Sequence, residues 1–169
     1  MKLTILLSLT GCALLFFGIW GVTVTMPTKM LAKNFPKDVQ ERLQPRLEEW
    51  ERQGMTPRRF LGWVILILFC LAYIGLFVFG GLDGLRRDFS FWQFFLRFLI
   101  IGCVIKAFDI GALDYFLLTK THFFQHYFPE TEGCVGWQDF GYNRKQQARQ
   151  SVMILVGSAI TALIFTLLK

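Results

Sequence analysis

The chain has 169 residues, of which 54% are hydrophobic and 18% charged, and phenylalanine alone occurs 19 times. That balance is too apolar for an ordinary soluble domain of this size. The net charge of +6 does not mark a nucleic-acid partner, because the basic residues flank apolar runs instead of forming one tract, as groups facing anionic headgroups do.

A bilayer core about 30 Å thick takes about 20 helical residues to cross. Four segments reach that length, at about 3–26, 60–80, 89–118 and 151–168. Backbone polar groups in lipid must bond to one another, so spans of this composition are expected to be helices. The expected fold is an all-α membrane protein: a single integral domain over residues 1–169, with four transmembrane helices and an amphipathic cytoplasmic helix after the first span. Loops 27–59 and 119–150 connect the spans.

Within the first span, Leu9-Thr10-Gly11-Cys12 has the look of a lipoprotein cleavage box. A lipidated cysteine is normally followed by polar sequence, whereas Ala13 to Val24 stays apolar, which favours a retained span over lipidation of Cys12. Cys12, Cys70, Cys103 and Cys134 form no CxxC pair and read as reduced. In the loop that follows, Val39, Leu43, Leu47 and Trp50 recur at helical spacing among charged residues. Pro36 suits the first turn of this helix, Pro45 is expected to break or restart it, and Gly54 suits its end. The helix either binds a partner or lies on headgroups or on its own bundle.

The segment from Phe89 to Leu118 holds Arg97, Lys106, Asp109 and Asp114, and ionised groups are costly in hydrocarbon. Lys106 and Asp109, three apart, share a helix face and can pair. Asp109 and Asp114 would point about 140° apart on an α-helix, so a site shared by both needs a kink, for which Gly111 gives an opening, or a group from another span. If hydrocarbon runs from Phe98 to Leu118, Arg97 reaches the outer headgroups and the other three charges lie inside; Trp92, Gln93 and Lys120 favour that register over one beginning at Phe89. Lys106 and Asp109 form either a salt bridge that locks helix packing or, with Asp114, a proton or cation site.

His122 and His126 stand four apart, so both imidazoles can reach one metal from a helical turn, with Glu130, Glu132 or Asp114 available as a third ligand. The glutamate of HExxH is missing, and the competing reading is a pair of interfacial histidines. No cofactor is expected apart from such a divalent metal. From Pro129 to Tyr142, turn formers alternate with aromatics, which excludes a long regular helix. In the last span Gly157, Ser158, Ala159 and Ala162 offer a small-residue face for packing within the chain or against another.

Phe35 to Gln40, Phe108-Asp109 with Asp114-Tyr115, and Pro129 to Gly133 with Asp139-Phe140 together resemble a group of small four-span membrane proteins of Gram-positive bacteria, a group with no established activity. The resemblance implies a bacterial plasma-membrane location and no catalytic role. Asn143 stands where that group often has a histidine, so no histidine chemistry carries over.

Twelve Lys and Arg fall in the two long loops, against Lys2, Arg86, Arg87 and Lys169 on the other side. This places the loops in the cytoplasm and both termini outside. Neither a P-loop nor a GxSxG elbow occurs. The expected activity is that of a non-enzymatic multi-pass protein in the lipid bilayer, assembling as a homo-oligomer or with another membrane protein. The alternatives are a small proton or cation carrier using the third-span carboxylates, and a metal-assisted hydrolase of lipid phosphate.

Overall fold

The computed structural model describes residues 1–25 and 32–169, with no strand among them. Met26, the expected end of the first span, and Pro27 and Lys29 of the loop after it lie outside the described residues. In chain order the elements are α1 (Lys2–Thr25), α2 (Lys37–Arg52), α3 (Pro57–Arg86), α4 (Phe91–Phe108), a π-helix (Asp109–Lys120), α5 (Phe123–Tyr127), two 3₁₀ turns (Pro129–Thr131 and Val135–Gln138) and α6 (Arg144–Leu167). Among the described residues three helices, α1, α3 and α6, are long and apolar enough to cross a membrane.

The segment from Phe89 to Leu118 is not one α-helix. Its start is fixed by the Gln93 side chain, which accepts the Ser90 backbone N–H at 2.8 Å. At its other end the Asp109 N–H is shared between the carbonyls of Ile105 and Lys106, and the chain widens into π winding. The i→i+5 bonding of a π-helix brings residues five apart over one another, so the angle argued for Asp109 and Asp114 on an α-helix does not hold.

The chain falls into two compact units, one of Met1–Leu15, Phe69–Asp109 and Lys145–Lys169, the other of Phe16–Leu68 and Ile110–Arg144. In the first unit, Phe94 and Phe98 are fully buried; Phe94 stacks on Phe98 at a ring-centroid distance of 6.3 Å and on Phe165 at 5.8 Å, and Phe98 meets Phe165 at a tilt at 5.8 Å. Glycines make the room for them: a Cβ on Gly81 would stand 2.0 Å from the Phe165 ring, and one on Gly84 2.2 Å from Phe94. Apolar helices gain little from water removal when their surroundings are equally apolar, so the closeness of these contacts is what holds them.

The Gly11-Cys12 pair that resembled a cleavage box belongs to the same packing. A Cβ on Gly11 would stand 2.3 Å from Ile105, and the Gly11 carbonyl accepts the Tyr73 hydroxyl at 2.8 Å. Cys12 is buried in mid-helix, its thiol directed at the Val104 carbonyl. A small residue is therefore needed at this crossing for close approach of side chains.

The second unit is built around aromatics. The Phe35 ring lies 5.0 Å from Trp137 and 5.1 Å from Phe124, and Phe124 stacks on Trp137 at 5.6 Å. Against this cluster α2 buries Val39, Leu43 and Leu47. Pro45 does not break α2, which runs unbroken through it. Proline costs the helix one N–H and crowds the preceding turn, but Leu43 and Leu47 on either side are anchored in the aromatic core. The helix ends before Gly54, whose φ of 68° is one that glycine adopts without strain.

Candidate polar site

The four ionisable residues of the Phe89 to Leu118 segment take separate partners. Arg97 is 4% exposed; its Nη1 meets Asp83 Oδ2 at 2.8 Å and donates to the Gly80 carbonyl at 2.7 Å. Its guanidinium carbon lies 4.3 Å from the centroid of the Phe89 ring, a cation–π contact. Asp83 also accepts from Arg87, at 3.0 Å through its other oxygen. The tight α3–α4 turn folds these helices back on one another, which sets Asp83 beside Arg97. The expectation that Arg97 reaches outward to headgroups is thus corrected: the side chain turns into the protein because a carboxylate, a carbonyl and an aromatic face await it there.

Lys106 and Asp109 pair at 2.8 Å across one helical turn, and the ammonium also donates to Gln150 Oε1 on α6. Their side chains are 11% and 25% exposed. Together with Gln150 they line one end of an open cavity of about 610 Å³ in the first unit, whose other walls are mostly apolar. Asp114 belongs to the second unit and accepts the Asn143 side-chain amide at 3.0 Å. The two carboxylates thus answer to different partners, Asp109 to a cation and Asp114 to an amide.

The metal-ligand candidates are not gathered. Among the described residues no group of three His, Cys, Asp or Glu side chains is placed to hold a metal ion. Glu130 is held by Arg46 at 2.9 Å, and the His126 ring packs edge-on to Tyr127 at 5.2 Å. His122 and Glu132 border a second cavity of about 670 Å³ within the second unit, along with Lys120 and Cys134. Partial burial pushes the Cys134 thiol above its ordinary pKa, and the Asp38 carboxylate adds to the rise while Arg42 opposes it.

Three partners escaped the sequence reading: Asp83, Gln150 and Asn143. Asp83 left a trace, as a lone acid at the end of an apolar run, on the near side of a tight turn from Arg97. Gln150 left none, since a neutral amide at the edge of an apolar run looks like an ordinary flanking residue, and Asn143 stood out only through the resemblance, with nothing to join it to Asp114. Three of the residues that carried the resemblance, Asp38, Gln40 and Thr131, bond within the second unit. Asp38 accepts the Gly136 N–H at 2.8 Å, Gln40 donates to the Phe35 carbonyl at 2.7 Å, and Thr131 accepts the Trp137 indole N–H. No protein-family model, curated protein or solved structure matches the chain.

Proposed function

We propose that the chain is a four-span protein of a bacterial plasma membrane that works by assembling in the bilayer, with a second copy or another membrane protein, and performs no catalysis. In this reading α4 and the π-helix form the third span, the amphipathic α2 and the long loops face the cytoplasm, and both termini lie outside. The observation that carries it is the pairing of the four charged residues between Phe89 and Leu118: Arg97 with Asp83, Lys106 with Asp109, and Asp114 with Asn143. Groups matched in this way stabilise one helix arrangement and are poorly placed to bind and release an ion.

Two measurements test the reading. Single cysteines placed in a cysteine-free background, as Gln53→Cys, Asp139→Cys, Lys2→Cys and Asp88→Cys, are probed in intact cells with an impermeant maleimide. The first two should stay unlabelled until the cells are opened and the last two should label at once; labelling of Gln53→Cys from outside would contradict the four-span arrangement. Proteoliposomes should show no proton or cation flux above empty vesicles. A flux that disappears in Asp109→Asn would overturn assembly in favour of a carrier.

A further inference from the structure

We propose that the cavity of the first unit binds the hydrocarbon chain of a neutral, hydroxyl-bearing lipid of the monoacylglycerol class, with the lipid's head on Lys106, Asp109 and Gln150. This goes beyond assembly and rests on the membrane-spanning reading, whose failure would appear in the thiol map and not in the experiment below.

The cavity's size, about 610 Å³, is that of a ligand site. Its lining on α6 runs from Gln150 to Thr161, eleven steps along the helix, which at 1.5 Å each makes a slot about 16 Å long. Leu15, Phe69, Ile105 and Ile154 line it, and so does Gly157, where an added Cβ would meet nothing within 4 Å. Two of the three wall hydroxyls are turned to the protein's own backbone, Tyr73 donating to the Gly11 carbonyl and Thr161 to the Gly157 carbonyl, and the third is the buried Ser158. The charged groups are confined to one end.

The charge at that end selects the head. Lys106 and Asp109 neutralise one another at 2.8 Å, so an anionic head would have to displace Asp109 and a cationic one Lys106. What is left over is hydrogen bonding. The ammonium has three N–H donors and gives one to Asp109 and one to Gln150. The Asp109 Oδ1 and the Gln150 amide N–H groups have capacity to spare. A spare donor beside a spare acceptor, with no net charge, matches a hydroxyl. The helices that contribute most of the wall are apolar enough to lie in lipid, so the ligand is one that reaches them from the hydrocarbon.

The experiment uses the full chain in phosphatidylcholine nanodiscs and three probes carrying a diazirine on the same acyl chain: a monoacylglycerol, a free fatty acid and a phosphatidylcholine. After irradiation the labelled peptides are read by mass spectrometry. The monoacylglycerol should label Ile154 and Ser158, which line the cavity, at least fivefold above the outward-facing Leu163 and Ile164, and unlabelled monoolein should compete it away. Gly157→Leu, which fills the slot, should abolish that labelling, and Gly157→Ala should preserve it. If Gly157→Leu does not fold, Gln150→Leu serves instead and should reduce monoacylglycerol labelling at least threefold. Equal or stronger labelling by the fatty acid would overturn the choice of a neutral head. Equal labelling by the phosphatidylcholine would mean ordinary bilayer lipid, and labelling no higher than at Leu163 would mean no site; each overturns the proposal.

Discussion

Arg97 and Lys106 sit nine residues apart in the same helix, yet their surroundings differ in kind. Arg97 is closed in by the Asp83 carboxylate, the Gly80 carbonyl and the Phe89 face, with stacked phenylalanines beside it. Lys106 has a carboxylate one turn away and an amide from α6, and borders open volume. The guanidinium's planar fork can meet several fixed partners together, whereas an ammonium is a compact charge on a flexible stem. The Arg97 end is thus built to hold two helices in one arrangement, and the Lys106 end holds a charge quiet beside a space.

The contrast predicts unequal costs of substitution. Arg97→Leu should destabilise the protein most, by about 3 kcal/mol, because it leaves the Asp83 carboxylate without its buried partner; that figure is the low end for such a loss, since Arg87 remains on Asp83. Thermal unfolding in detergent measures it, and Arg97→Lys should recover only part of the loss. A cost near zero would erase the distinction between the two ends. Gly81→Val, on the Arg97 side, should cost about 1–3 kcal/mol by overpacking, since its Cβ would enter the Phe165 ring. Gly157→Ala, facing the cavity, should instead raise stability by roughly 0.5–1 kcal/mol, as expected for removing a helical glycine where there is room. An equal response to these two glycine changes would mean that the cavity is not open.

The smallest effect concerns reactivity and lies in the second unit. Because the Cys134 thiol titrates above its ordinary value, less of it is thiolate at neutral pH than in a free cysteine. Maleimide labelling of Cys134 should therefore be slow at pH 7 and should still be rising with pH where a reference thiol has levelled off. Asp38→Asn removes one of the raising charges and should move the profile toward lower pH; no movement would mean that burial alone sets it.

Much of the fold was legible in the sequence because apolar length is a local property. The runs at 3–26, 60–80 and 151–168 became α1, α3 and α6, and Gly54 marked the end of α2 through its own backbone preference. Pro45 misled because its local penalty is outweighed by the anchoring of Leu43 and Leu47, a tertiary effect. The Lys106–Asp109 pair was legible from spacing, since both residues lie on one helical turn. The π winding after Phe108 was not, and it changes the relation of every residue from Asp109 to Lys120. Partners that arrive from elsewhere in the chain, Asp83, Gln150 and Asn143, depend on how the chain folds back on itself, which spacing within one segment does not encode.

The central claim is that the charges of this segment are fixed to protein partners, and a double-mutant cycle on Lys106 and Asp109 in a bilayer tests it most directly. Lys106→Met and Asp109→Asn should each lower stability by more than the double replacement does, giving a coupling energy of about 1 kcal/mol or more. Single losses that simply add, with no coupling between the two positions, would contradict the account.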